Sequence, residues 1–152
     1  MMSIPSALLS QPTPAELSFG VGGIAFFAPE DFLAAQSGYH GPDWSESWLV
    51  VARDTACGDP IFVDCAQPKL PVFTAMQGMG AWDPTPVALS WSGFIAALEA
   101  ARPFTVGREQ PVGVEQNPLS AVEQASLSEA LERALGRSPP YFWALLFVQE
   151  EP

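Results

Sequence analysis

Residues 48–73 read WLVVARDTACGDPIFVDCAQPKLPVF, and this stretch decides the fold. Three short apolar runs, rich in Val, Ile, Phe and Trp, are separated by segments in which Asp, Gly and Pro recur. Apolar runs with turn residues between them are typical of β-strands joined by tight connections. We therefore predict three consecutive strands, at Trp48–Ala52, Ile61–Val63 and Val72–Ala75.

The segments around this nucleus predict further strands and a short helix. Leu17–Phe27 has two apolar runs on either side of a glycine group, which is typical of a strand, a tight turn or bulge, and a second strand. Pro29–Gln36 starts with proline and two acidic residues, which favours a short helix. The side chains of this helix expected to face the sheet are Phe32, Leu33 and Gln36. Val87–Leu89 predicts a short edge strand.

Two longer helices are predicted in the second half of the chain. Ser90 is a good N-cap for a helix at Trp91–Ala101, and a second helix is predicted at Leu119–Leu135, ended by Gly136. The apolar stripe of the first comprises Trp91, Phe94, Ile95 and Leu98. That of the second comprises Val122, Leu127, Leu131 and Leu135. Spacing of three or four residues places the first stripe on one helix face, toward the sheet, and the second stripe is roughly helical in its spacing.

Both ends of the chain are harder to interpret. Residues 1–15 contain three prolines, which favours a loosely held, extended arm with at most one helical turn around Ala7. Residues 141–148 are continuously apolar, so they are compatible with a helix or a buried strand. We favour the helix, because Ser138 and Pro139 precede it at capping and first-turn positions.

The composition indicates one packed domain with a strongly acidic surface. The chain has 152 residues, 48% of them apolar, which predicts a single domain spanning residues 1–152 with its own core. It carries 17 acidic and 6 basic residues, a net charge of −11. Nucleic acids and anionic membrane surfaces are poor partners for such a chain. A basic protein or a cationic ligand suits it better, although acidic residues also serve solubility alone.

Two loops beside the nucleus combine aromatic with acidic residues. Residues 37–47 read SGYHGPDWSES and residues 76–86 read MQGMGAWDPTP. Trp and Tyr are frequent hot-spot residues at protein interfaces, and they are costly to leave in contact with water. The candidate partner-binding residues are Tyr39, Asp43, Trp44, Glu46, Trp82 and Asp83. The alternative is structural, with Trp44 covering the edge of the core.

Catalytic and metal-binding signatures are absent from the sequence. Cys57 and His40 could be drawn as a thiol–imidazole pair, but a single His in a glycine-containing loop is usually solvated. The two cysteines and the histidine match no zinc spacing, and Asp54, Asp59 and Asp64 are too widely spaced for a Ca²⁺ loop. We therefore assign no catalytic residue, no metal and no cofactor, and interpret these aspartates as turn residues.

The compartment is predicted from what the sequence lacks. Cys57 and Cys65 bracket a turn and a strand, an arrangement badly placed for a disulfide, so two thiols in a reducing compartment are expected. The N-terminus has no basic region and no long apolar run, and no window approaches a membrane span. These features predict a cytoplasmic protein.

Taken together, these segments resemble the core of the SUKH superfamily, which contains cell-wall synthesis regulators of the Smi/Knr type and many bacterial immunity proteins. The resemblance lies in Trp48–Asp54, Gly58–Asp64, Pro71–Val72 and Ser90–Leu98, within a matched core of residues 19–98. Residues 104–152 form a helical C-terminal extension outside the matched pattern. The opening helix typical of the family is reduced here to the proline-containing arm.

The resemblance implies an α+β domain with a mostly antiparallel sheet flanked by helices, and no enzymatic activity. It also implies an immunity-type binding protein that neutralises a toxin domain. Because this chain is acidic, we expect that toxin domain to be basic. The alternative is a housekeeping regulatory or small-ligand-binding module, in which the loops close over a pocket lined by Trp44 and Trp82. The oligomeric state is left open.

Overall fold

A computed structural model describes residues 4–10, 16–18, 23–55, 58–76, 81–108 and 117–147. The strands in these ranges are β1 (Glu16–Ser18), β2 (Gly23–Phe26), β3 (Trp48–Asp54), β4 (Pro60–Asp64), β5 (Val72–Thr74) and β6 (Thr85–Ala88). The α-helices are α1 (Ser6–Ser10), α2 (Phe32–Ala35), α3 (Trp91–Ala101), α4 (Ala121–Leu135) and α5 (Tyr141–Phe147). Short 3₁₀ turns occupy Pro29–Asp31, Gln36–Gly38 and Arg102–Thr105.

The strands form one antiparallel sheet in which each strand pairs with its neighbours in the sequence, in the order β1 to β6. The predicted α+β class with a mostly antiparallel sheet is therefore confirmed. The three strands of the nucleus are present, as are the strand pair before it and the edge strand after it. The glycine turn between β1 and β2 falls on residues 19–22, outside the described residues.

Alternation along the central strands divides the sheet into two faces. Val50 pairs with Phe62 in the β3–β4 register, and both side chains lie in one buried cluster. Leu49 and Val63 are also paired, and they lie in the other, larger cluster. A register shift between Val50 and Ala52 inserts one extra residue into β3 at this point. Successive side chains of a strand point to opposite faces, so the nucleus contributes to two separate cores.

Three helices pack on the larger core. Ser90 caps α3, its hydroxyl accepting the Gly93 amide at 3.0 Å, as the sequence predicts. The predicted stripe of α3 lies inward, with Ile95 at its partly buried margin. The N-cap of α4 is Ser120, which forms a reciprocal capping box with Glu123. Its C-cap is Gly136, with φ 74°. Such caps satisfy amides and carbonyls that have no partner within the helix.

The C-terminal extension completes this core. Leu127, Leu131 and Leu135 of α4 are buried in it, and α5 adds Phe142 and Trp143. The helix favoured over a strand for residues 141–148 is confirmed over Tyr141–Phe147. Together these side chains make the extension part of the domain's core.

Two features protect the outer edge of β6 from pairing with another strand. Pro86 lies within β6 and lacks a backbone N–H, and the indole Nε1–H of Trp143 donates to the Val87 carbonyl at 3.0 Å. Unpaired strand edges invite association with other chains, and proline or a covering element prevents it. α5 therefore also closes one edge of the sheet.

Three expectations were wrong: that Val122 and Leu33 face the core, and that the N-terminal arm is loosely held. Val122 is 76% exposed, because it lies five residues before Leu127 and so on another side of α4. Leu33 is 51% exposed, whereas Phe32 is buried and Gln36 pairs with the backbone of Val50 through both its amide atoms. The arm is not loosely held at α1, where Leu8 is only 2% exposed and belongs to the larger core.

Among the helices that the structure describes, none combines the length and the apolar character needed to cross a membrane.

Candidate functional site

Six aromatic side chains gather on the face of the sheet opposite α3 and α4. Strands β3, β4 and β5 contribute three of them, and the two loops singled out in the sequence contribute the others. We call these six rings, which are linked by ring–ring contacts, the aromatic face; they belong to Tyr39, Trp44, Trp48, Phe62, Phe73 and Trp82. Phe62 is fully buried and the other five are partly exposed, so the cluster is at once a small core and a surface.

Trp44 lies at the centre of the aromatic face. Its ring centroid is 4.9 Å from that of Phe62, 5.0 Å from Trp48, 5.2 Å from Trp82 and 6.1 Å from Tyr39. The contacts with Trp48 and Trp82 are edge to face, a favoured geometry for aromatic pairs. Trp44 therefore connects both loops to the sheet.

A hydrogen bond joins the two loops directly. The indole Nε1–H of Trp82 donates to the carbonyl oxygen of His40 at 3.1 Å, across 42 positions of sequence. Gly41, the next residue, has φ 141°, a conformation that L side chains rarely adopt, and the Trp82 indole lies over it. A side chain at position 41 would be strained, so glycine is required where the loops meet.

Segment 39–47 is fastened to the sheet by backbone and side-chain hydrogen bonds. The Ser47 carbonyl accepts the Cys65 amide at 2.8 Å, and the Ser47 hydroxyl donates to Asp64 at 2.9 Å. Burial by itself raises the pKa of Asp64, but hydrogen bonds from Gln67, the Ala66 amide and Ser47 outweigh it and lower that pKa. The ionised carboxylate of Asp64 is thus the anchor of this loop.

The acidic candidate residues lie beside the exposed rings. Asp43 directly precedes Trp44, Asp83 directly follows Trp82, and Glu46 lies between Trp44 and Trp48. All three acidic side chains are exposed, and no ion pair joins them to the described residues. The aromatic face therefore carries free negative charge at its margin.

Basic residues of the helical side are paired instead. Arg102 contacts Glu99 at 2.8 Å on α3, and Arg133 contacts Glu129 at 2.9 Å on α4. These pairs neutralise two carboxylates of the helical side, whereas Asp43, Glu46 and Asp83 have no such partner among the described residues.

Tyr39 lies at the margin of the aromatic face nearest the β3–β4 turn. Its hydroxyl approaches the Gly58 carbonyl at 3.5 Å, the outer limit for a hydrogen bond. Burial raises the pKa of Tyr39, while the charges of Arg53 and Asp59 act in opposite directions on it. The Tyr39 hydroxyl is therefore neutral at physiological pH and can act as a hydrogen-bonding group.

Cys65 and the possible metal ligands were the groups to check for reactive chemistry in the described part of the chain. Burial, followed by the charge of Asp64, raises the pKa of Cys65 to about 11, so its thiol stays protonated at neutral pH. Cys57 lies outside the described residues, and Cys65 is a free thiol. Within the ranges described, no three His, Cys, Asp or Glu residues are close enough to hold a metal ion.

The structure brings the three aromatic candidates together, and the three acidic candidates are exposed residues close to them in sequence. The structural alternative for Trp44, a lid on the edge of the core, is correct for the smaller core beneath it. Sequence analysis missed Trp48 and Phe73 as members of this surface. The signal was the period-two alternation, which places Trp48 on the same face as Val50 and Phe62.

Comparison of the chain with protein-family models, with curated proteins and with solved structures gave no match.

Proposed function

We propose that this chain is a non-enzymatic binding protein that holds a basic protein domain against its aromatic face. The observation that carries the proposal is the combination of partly exposed Trp44, Trp48 and Trp82 with the unpaired carboxylates of Asp43 and Asp83. Buried aromatic anchors surrounded by charged residues are typical of protein interfaces.

The two kinds of residue have different roles in this proposal. The carboxylates of Asp43, Glu46 and Asp83 attract a basic partner from a distance and raise the rate of association. The aromatic rings lose their remaining contact with water in the complex and slow dissociation. Because the rings already contact one another, they lose little side-chain entropy on binding.

The biological setting follows from the SUKH resemblance. An immunity-type protein neutralises a toxin domain by covering it, and a cytoplasmic location suits that role. The charge of the chain, −11, favours a basic toxin domain as the partner. The site is a binding surface, and the proposal assigns it no cofactor, nucleic acid or membrane.

A small-ligand-binding module is less well supported at this site. That alternative needs a pocket lined by Trp44 and Trp82, but their rings are in edge-to-face contact with centroids 5.2 Å apart. A ligand would have to separate the rings and break the bond from Trp82 to His40.

The proposal is tested by recovering the partner and then measuring its binding. Affinity co-purification from the native cell at low salt should recover one basic protein, which is lost at high salt. The purified partner is then titrated with a variant carrying Asp43→Asn, Glu46→Gln and Asp83→Asn. We expect its association to slow by roughly tenfold or more at low salt, with a weaker salt dependence than the wild type.

A matched control separates a local effect from the loss of net charge. Glu99→Gln, Glu129→Gln and Glu132→Gln remove the same three charges from exposed positions on α3 and α4. This control should associate nearly as fast as the wild type. Equal slowing of both triple variants, or recovery of no partner at either salt concentration, would overturn the proposal.

A further inference from the structure

Two tryptophans of the aromatic face each have an aspartate as a neighbour in the chain. Asp43 directly precedes Trp44, and Asp83 directly follows Trp82. Consecutive Cα atoms are about 3.8 Å apart, so each aspartate stays beside its tryptophan. The ring centroids of Trp44 and Trp82 are 5.2 Å apart, and this contact brings the two Asp–Trp pairs to one place.

The two aspartates are available to an incoming cation. Both are exposed, and neither forms an ion pair with the described residues. By contrast, the charges that act on Tyr39 come from Arg53 and Asp59 and oppose each other. A cation is therefore better attracted where Trp44 meets Trp82 than at the Tyr39 margin.

The two indoles are held in place before any partner binds. Trp82 Nε1–H donates to the His40 carbonyl at 3.1 Å, and the Trp44 ring lies 4.9 Å from that of the buried Phe62 and 5.0 Å from that of Trp48. Tryptophan attracts cations more strongly than the other aromatic residues do, through the negative potential over its ring. Because both rings are fixed and partly exposed, such a contact costs little conformational entropy.

The contact between the rings decides which kind of cation fits. A methylated ammonium group is enclosed by aromatic rings that stand apart as a cage, whereas the rings of Trp44 and Trp82 touch each other at an angle of 73°. A guanidinium needs no cage, because it is planar, stacks on a single ring and directs its N–H donors outward to carboxylates. A lysine ammonium is strongly hydrated and has no flat surface to stack. The surface therefore favours arginine.

We infer that the aromatic face binds an arginine side chain of its partner where Trp44 meets Trp82. The guanidinium stacks on an exposed indole, and its N–H groups donate to the carboxylates of Asp43 and Asp83. The inference rests on the proposed function and extends it, because it names the group that the basic partner presents. Net charge alone would treat arginine and lysine alike.

Three short peptides of equal length test the inference. They have blocked ends and alternate glycine with arginine, lysine or citrulline. The arginine and lysine peptides carry the same charge, and citrulline has nearly the shape of arginine without its charge. The readout is the indole N–H signals of the five tryptophans in a ¹⁵N–¹H spectrum, assigned with single Trp→Phe variants. Trp91 and Trp143 are buried in the larger core and serve as internal references.

The arginine peptide should shift the signals of Trp44 and Trp82 and leave the references in place. It should bind roughly three- to fivefold more tightly than the lysine peptide, because stacking adds to the attraction between charges. The citrulline peptide should leave all the indole signals unchanged. Equal affinities for the arginine and lysine peptides, or an arginine peptide that shifts neither signal, would overturn the inference.

One variant and one control locate the bound guanidinium. Asp83→Asn keeps every ring of the aromatic face and should weaken binding of the arginine peptide by roughly threefold. Glu132→Gln removes one charge from an exposed position of α4 and should leave the affinity nearly unchanged. Equal weakening by the two substitutions would place the peptide elsewhere. If a basic partner is recovered from the cell but the peptides are not discriminated, this inference fails and the proposed function stands.

Discussion

The two faces of the sheet are built from the same strands, but they differ in how far their side chains are buried and in whether the nearby carboxylates form ion pairs. On the helical face, aliphatic side chains of the strands meet α3, α4 and α5, and the core is sealed from water. On the aromatic face, loops replace helices and five of the six rings remain partly exposed. On the helical side Glu99 and Glu129 are paired with arginines, whereas Asp43, Glu46 and Asp83 beside the rings form no ion pair with the described residues.

Under the proposed function, this difference separates the residues that stabilise the fold from those that bind a partner. A residue on the helical face is buried when the protein folds, so it has no exposed apolar area left to bury against a partner. A partly exposed ring on the aromatic face can bury further area on binding. Substitutions on the helical face should therefore affect folding most, and those on the aromatic face should affect binding most.

The largest expected loss of stability follows from Phe94→Ala. Phe94 is fully buried, and its ring lies 5.6 Å from Trp91 and 6.0 Å from Trp143, so its removal opens a cavity between α3 and α5. We expect a loss of about 3–5 kcal/mol in the free energy of unfolding, measured by urea denaturation. Val122→Ala, at an exposed position of α4, should stay within about 0.5 kcal/mol of the wild type. A loss for Phe94→Ala no larger than this control would contradict the assignment of the main core.

Arg108→Met should have the next largest effect. Arg108 is 4% exposed, and its guanidinium donates to the carbonyls of Phe104 and Asn117 and to the carboxylate of Glu123. Methionine keeps the apolar stem but leaves both carbonyls without this donor, so we expect a loss of about 2–3 kcal/mol in urea denaturation. Arg133→Met removes an ion pair with Glu129 in which both side chains are exposed. It should lower the free energy of unfolding by less than about 0.5 kcal/mol. Similar losses for the two variants would show that the buried bonds of Arg108 are dispensable.

Trp44→Ala sharpens the contrast between the faces. Its ring contacts four others, but it is partly exposed and water can enter the space it leaves. We expect a loss of stability of about 1–2 kcal/mol, smaller than for Phe94→Ala, together with faster dissociation of the protein partner. Trp44→Phe should recover most of the stability and less of the binding. A loss equal to that of Phe94→Ala would identify the aromatic face as a second structural core.

Much of the fold could be predicted because its determinants are local. Alternation and turn residues define β3, β4 and β5, and the caps at Ser90 and Gly136 mark helix ends within a few positions. Local patterns fail where a residue lies at the border of a stripe. Val122 and Leu33 are apolar and adjacent to buried positions, and only packing decides that they face outward.

Three of the six rings of the candidate site, those of Tyr39, Trp44 and Trp82, could be predicted from the sequence, but their assembly could not. Aromatic and acidic composition marked both loops, but the contact between His40 and Trp82 joins positions far apart in sequence. The hydrogen bond from the Trp91 amide to the Lys69 carbonyl, which joins the β4–β5 connection to the first turn of α3, gave no local signal either. Such juxtapositions follow from the chain's path, which residue patterns do not encode directly.

Asp64→Asn should produce the smallest change, visible mainly as an altered pH dependence. The folded-state pKa of Asp64 is lowered, so its stabilising effect is complete above the ordinary aspartate pKa and is lost as pH falls through the lowered value. At neutral pH the variant should lose less than about 1 kcal/mol, because solvent screens this half-buried carboxylate. The difference from the wild type should shrink as the solution is acidified, and urea denaturation at a series of pH values measures it.

Asp43→Asn is the matched control for this pH series, because the exposed Asp43 side chain has no hydrogen bond to the described part of the sheet. It should keep the wild-type pH dependence while reducing attraction to a basic partner. Asp64→Asn should change the pH dependence and leave the attraction to a basic partner unaltered, because the Asp64 carboxylate accepts a hydrogen bond from Ser47 within the protein. If Asp64→Asn and Asp43→Asn gave the same pH profile, the carboxylate of Asp64 would not hold the loop. Segment 39–47 would then be held on the sheet by its ring contacts and by the hydrogen bond from the Cys65 amide to the Ser47 carbonyl.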